Sequence, residues 1–316
     1  MRFTVVGHFV LDTIVQPDGT KTESYGGIYF SVAVLANLAS KDDTVCPVFG
    51  VGVNEYGPLV AHLRQYHTVD TSGIFPFEGA TNSVRLMYNG SGHRIECSRH
   101  IAEPIPFNTI EKYLGADGIL INMISGFDIE LDTLDAIRMS VRNRGTPIHL
   151  DVHCLPLGIK GDFTRYYRPL PAWRRWCFMI DTVQMNEIES EYLSPDRQPE
   201  EMLAHEILAV GARRVLITRG ERGATLYSVD RGRIARRDEP ARGLNSAVDP
   251  TGSGDVFGAA FLIERLRSKD DPSALLFALD AAGTNAAYPG STGVDAIARL
   301  LKRTEGNDGE VGRAST

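Results

Sequence analysis

The chain has 316 residues, 43% hydrophobic and 23% charged, which is a folded, soluble profile with ample length for a large core. Its 33 Lys+Arg against 40 Asp+Glu give a formal net charge of -7, which excludes a polyanion binder held by bulk charge and so argues against nucleic acid as a partner. No apolar run is long enough to span a bilayer, and Met1-Arg2 leads straight into Phe3-Thr4-Val5-Val6 without a signal-like segment, so a cytoplasmic protein without a membrane partner is expected.

In chain order, residues 3–8 form a short β-rich apolar run that reads as a buried strand ending at Gly7-His8. Residues 12–25 are polar and broken by Pro17, Asp18 and Gly19, the chemistry of a hairpin tip. Gly26-Gly27 opens a helical stretch over 31–39, and 44–53 reads as a strand, with Asn54 placed to cap a helix running to about Tyr66. Asn89-Gly90-Ser91-Gly92 between the strand-like runs 81–88 and 94–98 is a strong hairpin signal.

From residue 107 onward helix and strand alternate: helix 107–114, strand 119–123, helix 131–142, strand 148–152, strand 178–184, helix 200–210, and strands 214–218 and 224–228. Helical patterns over 254–266, 274–287 and 294–301 close the chain, and 304–316 is polar tail. The alternation predicts an α/β domain with a mostly parallel central sheet and helices on both faces. The early segments 12–25 and 80–99 would form a small β-sheet lid on a domain spanning 1–303. The four cysteines (Cys46, Cys97, Cys154, Cys177) are far apart and read as reduced thiols.

The chemistry concentrates in Asp249-Pro250-Thr251-Gly252-Ser253-Gly254-Asp255-Val256-Phe257. Small residues leading into a helix let its unpaired N–H groups approach an anion. A carboxylate in such a cradle repels phosphate, but it makes sense as a base that takes the proton from a hydroxyl attacking that phosphate. A plain glycine-rich turn with a helix-start carboxylate would contain the same residues. The chain has no G-x-x-x-x-G-K-[ST], no G-x-G-x-x-G, no H-R-D or D-F-G, and no G-x-S-x-G or H-E-x-x-H.

D-P-T-G-S-G-D-V-F resembles the C-terminal signature of the ribokinase-like (PfkB) carbohydrate kinase family, and further pieces follow the family's order across residues 3–293. Gly7 with Asp12 resembles its first strand and substrate-binding Asp, and Gly26-Gly27 its hinge. The 50–57 segment is similar to G-x-x-G-x-D-x-x-G, with Asn54 for Asp, while Asn186-Glu187-Ile188-Glu189 matches N-x-x-E and 217–223 matches the T-x-G-x-x-G nucleotide loop. The resemblance implies an ATP-dependent phosphotransferase acting on a sugar or polyol hydroxyl. Asp255 would be the base, with Gly252, Ser253 and Gly254 as the anion hole. Asn186, Thr218, Gly220, Gly223 and Asn285 would serve ATP, and Asn186 and Glu189 would organise Mg2+ through water.

The resemblance further implies substrate contacts at Asp12, Gly26, Gly27 and Ser31, with Asp12 just past a strand end, and Asn122, at the end of an expected strand, is a further candidate contact. As in several relatives, K+ would sit on carbonyls near Asp249, Thr251 and Gly290; separately, the edge of the early β flap offers pairing with a second copy, a homodimer through the lid. Three departures bear on the substrate: Ser31 stands where many relatives have Asn, Asp151-Val152-His153-Cys154-Leu155 replaces D-x-N-x-R, and Tyr29-Phe30 bring aromatics beside the hinge. The aromatics suit a nucleoside base or a cyclitol face. A nucleoside kinase of the same family, or a non-catalytic kinase-like regulatory protein, are the alternatives.

Overall fold

A computed structural model gives the structure of residues 1–88, 94–230, 232–243 and 248–300. In chain order the strands are β1 (Arg2–Val6), β2 (Phe9–Val15), β3 (Lys21–Gly27), β4 (Thr44–Gly52), β5 (Ile74–Phe77), β6 (Ser83–Tyr88), β7 (Arg94–Arg99) and β8 (Gly118–Asn122). They continue with β9 (Ile148–Asp151), β10 (Leu157–Ile159), β11 (Arg165–Tyr167), β12 (Thr182–Asn186), β13 (Arg214–Thr218), β14 (Ala224–Asp230) and β15 (Arg233–Glu239).

The central sheet runs β15-β14-β13-β12-β9-β8-β1-β4-β5. From β5 to β13 every pairing is parallel; β14 and β15 add an antiparallel edge. This matches the α/β class expected from the alternation. The inner strands are apolar because helices cover both faces: β8 and β9 are buried at every position, and β1 at every position after Arg2. Helix Ser253–Ser268 lies against β8 and β9, with Gly118 making room for Leu266 and Gly258 making room for Gln184 and His149.

Parallel strands place their carboxyl ends on one rim. The last residues of β8, β9, β12 and β13 are Asn122, Asp151, Asn186 and Thr218, all polar. Register aligns Asn122 with Asp151 and Asn186 with Thr218. That rim, where the strand order departs in both directions from β1, is where open α/β sheets gather ligands.

A second sheet, β3-β2-β6-β7, is built from the two early segments. Its first segment reaches further than the expected 12–25, from Phe9 to Gly27, because the apolar alternation of β2 begins at Phe9, while β6 and β7 fall within the expected 80–99. The Asn89-Gly90 turn lies outside the described residues, as does the tail 304–316. Gly27 carries the chain from β3 into helix Ile28–Leu38 with φ 59° and ψ -131°. A Cβ there would stand 2.7 Å from the His8 carbonyl oxygen and 2.8 Å from Ile124 Cγ2.

Several sequence expectations are corrected. Asn54 is not a cap: helix Val53–Leu63 starts one residue earlier, with Gly52 at its N-cap and no side-chain cap bond. Thr81 does that work from another segment, accepting from the Gly52 N–H (3.0 Å) and donating to Glu55 Oε2 (2.7 Å). Residues 178–181 are not strand, since Phe178 and Met179 face solvent and Met179 has φ 52°; the sheet is entered at Thr182. Residues 290–297 wind as a 3-10 helix, because Gly290 has φ 53° and Gly293 packs on the Asn285 backbone. The helix Trp173–Cys177, the hairpin β10-β11 and the edge strand β15 had no sequence signal.

Gly27→Ala is expected to destabilise the fold by about 2 kcal/mol or more, since an L residue is strained at this φ/ψ and its Cβ meets backbone. Urea unfolding measures it; an unshifted midpoint would show that the hinge tolerates a side chain.

Candidate active site

A cavity of about 580 Å3 opens along the carboxyl rim, between the small sheet and the start of helix Ser253–Ser268. Of the residues expected at a site, Asp12, Gly27, Asn186 and Glu189 line it, as do Thr218, Gly220 and Gly223. So do Gly252, Ser253, Gly254 and Asp255. Residues separated by more than 200 positions therefore converge on one space, of the size that small-molecule sites occupy.

Asp255 sits in the first turn of that helix and is 7% exposed. Asn122, at the end of β8, donates from Nδ2 to Asp255 Oδ1 at 2.6 Å. Burial raises the Asp255 pKa above the ordinary value; His153 and the Asn122 hydrogen bond oppose that rise without cancelling it. The result is a carboxyl more basic than a free aspartate and facing the cavity.

The loop before it is braced from behind. Asp249 Oδ1 accepts from the Thr251 N–H (2.9 Å) and hydroxyl (2.6 Å), and its Oδ2 accepts from the Gly290 N–H (2.9 Å). Gln184 Nε2 donates to the Gly254 carbonyl (2.9 Å) and to Asp151 Oδ2 (3.0 Å). His149 stands behind Gln184, 3.1 Å from its Oε1; burial lowers the His149 pKa to about 4, so the ring is neutral. Gly252 has φ 73°, and a Cβ there would fall 2.4 Å from the Phe30 ring. The Ser253 N–H is taken by the Pro250 carbonyl at 3.1 Å. Among the described residues the N–H groups of Gly252 and Gly254 have no such partner, so two of the three expected donors remain open.

Asn186 and Glu189 form a capping box at helix Glu187–Leu193: the Asn186 N–H donates to Glu189 Oε2 (2.7 Å) and its Nδ2 to Oε1 (2.6 Å). Half-buried His153 lies 3.8 Å from Glu189 Oε1, with its backbone in the left-handed region at φ 39°. Burial opposes its charged form, but Cys154, Glu189 and Asp255 outweigh that and push its pKa well above that of a free histidine. Asp151 lies beside it, and burial raises that carboxyl's pKa strongly. Thr218 through Gly223 form the β13-β14 turn, with Gly220 at φ 55° and Gly223 at φ 95°. Arg219, locked to Glu200 at 2.6 Å, stiffens that turn.

Four expected contacts lie behind the cavity wall. Asn285 is fully buried and donates to the Thr251 carbonyl (3.0 Å) and Ser253 Oγ (3.3 Å), so it braces the loop. Ser31 and Asn122 lie behind Asp255, the Asn122 amide 3.4 Å from Ser31 Oγ. Gly26 faces Asp12: a Cβ on it would stand 1.8 Å from Asp12 Oδ2. Asp12 is in the middle of β2, not past a strand end, and that missing Cβ is what lets its carboxylate be buried. Tyr29 turns away, its hydroxyl 2.8 Å from His62 Nε2, whereas Phe30 does line the cavity. His153 and Gln184, which also line it, carried no site signal; His153 was visible only as a departure from a motif.

Among the described residues no group of three or more His, Cys, Asp or Glu could hold a metal ion, and no helix is long and apolar enough to cross a membrane. The fold is that of the ribokinase-like kinases. Residues 161–297 match the pfkB family carbohydrate kinase family. The chain is 26% identical over 270 residues to a cytidine kinase of Thermococcus kodakarensis, covering 83% of this chain and 87% of that protein. It resembles a pyrophosphate-dependent kinase of the ribokinase family complexed with a pyrophosphate analog and myo-inositol, with TM-score 0.76, 18% identity and coverage of 94% and 100%. It also resembles Arabidopsis thaliana ribokinase complexed with ribose and ATP, with TM-score 0.72, 20% identity and coverage of 95% and 98%. The family match covers the C-terminal part of the chain, and the structural likeness extends the ribokinase-like fold over nearly all of it.

The raised Asp255 pKa has a stability consequence. Its contribution is fully present below the unfolded aspartate pKa and is lost as pH rises through the raised folded value. Asp255→Asn should therefore gain on the wild type with rising pH, by urea unfolding across a pH series. A gap that is constant with pH would contradict a costly buried carboxylate.

Proposed function

We propose that the protein transfers the γ-phosphoryl group of ATP to a hydroxyl of a sugar, polyol or nucleoside, with Asp255 as general base. The observation that carries this is the buried Asp255 carboxylate, its pKa raised by burial, in the first turn of a helix whose N-cap loop offers the Gly252 and Gly254 N–H groups to the same cavity. Asp255 takes the acceptor proton as the hydroxyl oxygen attacks the γ-phosphorus, the bond to the bridging oxygen breaks, and ADP leaves. The two glycine N–H groups and the helix dipole stabilise the charge on the transferring group. Asn122 keeps the carboxylate ionised and aimed, so it is a positioning residue.

Asp12 would accept from acceptor hydroxyls, and the Thr218–Gly223 turn with Ala282 and Gly283 would border the nucleotide. The Asn186–Glu189 pair suits Mg2+, because one carboxylate with an amide beside it fits an ion that keeps most of its waters. Bound there, the ion would neutralise phosphate charge. His153, held as an imidazolium within the same acidic group, would add a second positive charge toward the phosphates. The small sheet would act as a lid that excludes water. Similarity to a cytidine kinase supports nucleosides as acceptors alongside sugars and polyols.

Asp255→Asn is expected to lower turnover about 10²–10⁴-fold while the protein still binds ATP, measured by ADP release. Asn122→Ala should shift the acid limb of turnover to higher pH, since it removes a hydrogen bond that lowers the Asp255 pKa. An unmoved limb would remove Asn122 from the mechanism.

A further inference from the structure

The end of the cavity under the small sheet is walled by aliphatic side chains. Asp12 pairs with Val84 across β2-β6, and Leu86 pairs with Glu96 across β6-β7. Residues opposite each other share a face, and residues two apart along a strand share it too, so Val10, Asp12, Val84, Leu86 and Glu96 stand on one face. All five line the cavity. Ile124 closes the slot from the loop after β8; its Cγ2 and that of Val10 lie 2.8 and 3.0 Å from where a Gly27 Cβ would be.

The slot therefore has aliphatic walls and two carboxylates on strands separated by β6. A free sugar or cyclitol carries hydroxyls around its whole rim, and each one pressed on these walls would lose water without a partner. A nucleobase buries two apolar faces and keeps its polar groups at the edge. Glu96 Oε1 accepts from the Ser98 hydroxyl at 3.5 Å. An ionised carboxylate is acceptor-only and has about four lone-pair sites, so it selects donors and takes more than one. Its charge reaches into the cavity, where it adds to burial in raising the thiol pKa of Cys154.

We propose that the acceptor is a nucleoside whose base carries an exocyclic amine, cytosine or adenine, with the base between Val84, Leu86 and Ile124 and the amine donating to Glu96. This rests on the kinase reading above, with the ribose hydroxyls at Asp12. Uracil and hypoxanthine present a carbonyl oxygen at the corresponding edge, which a carboxylate repels.

The test is kcat/KM with Mg·ATP for cytidine, adenosine, uridine, inosine, ribose and myo-inositol, in the wild type and in Glu96→Gln. Cytidine and adenosine should exceed uridine and inosine by roughly 10–100-fold, the range for a well-placed hydrogen bond to a charged group. Glu96→Gln, which can both donate and accept, should bring that ratio near one, chiefly through KM. Equal use of cytidine and uridine, or preference for ribose or myo-inositol, overturns the proposal and leaves the kinase reading standing. An unchanged ratio in a Glu96→Gln protein that melts like the wild type overturns the role of Glu96. Turnover with none of the six overturns the proposal, and an absence of ATP binding as well overturns the kinase reading. The wild-type ratio decides the acceptor even if the variant does not fold.

Discussion

The hydrogen bond from Asn122 to Asp255 joins the two halves of the site, and the rest of the rim is arranged around it. Asn122 ends a buried parallel strand and Asp255 begins a helix 133 residues later in the chain. A carboxylate this buried would be costly unless something favours its charged form. His153 and the Asn122 amide both favour the charged form, yet burial still leaves the group more basic than a surface aspartate. The Gly252–Gly254 loop beside it has its geometry fixed from elsewhere.

That fixing comes from polar side chains buried in the layer behind the rim. His149, Gln184 and the Gly254 carbonyl form one chain of contacts; Asp249 ties Thr251 to Gly290; Asn285 holds the Thr251 carbonyl. Each would be expensive unpaired in an apolar core, and each is directed at the loop. Gly258 leaves space for Gln184, and Gly252 for the Phe30 ring, so these glycines belong to the same construction. The small sheet is joined to this rigid body through Gly27, whose backbone conformation a larger residue resists.

Much of this was legible in the sequence because it rests on local chemistry. Apolar runs marked the inner strands, Gly-Ser-Gly-Asp marked the helix start that lines the cavity, and motif order marked Asn186, Glu189 and the Thr218–Gly223 turn. What was not legible depends on contacts between distant segments. Asn122 and Asn285 read as ligand contacts, but the fold turns their amides onto Asp255 and Thr251. Asn54 looked like a cap until Thr81, from another segment, took that work. Asp12 read as a loop residue because nothing local says that Gly26 will lie across from it. His153 looked like the loss of a motif residue; only the structure shows it beside Glu189 and Asp255, which raise its pKa. Strand β15 carries no apolar run because it is an exposed edge, so hydrophobic pattern had nothing to report.

The central claim is that Asp255 is a buried carboxylate of raised basicity that takes the acceptor proton. A site-resolved carbon-13 titration of the Asp255 carboxyl, assigned with Asp255→Asn and set beside the acid limb of turnover, tests it most directly. The account predicts that Asp255 titrates above the ordinary aspartate value of about 3.9 and that the acid limb of kcat/KM falls at the same pH. An Asp255 that titrates in the ordinary range, or an acid limb unconnected with it, would contradict the account.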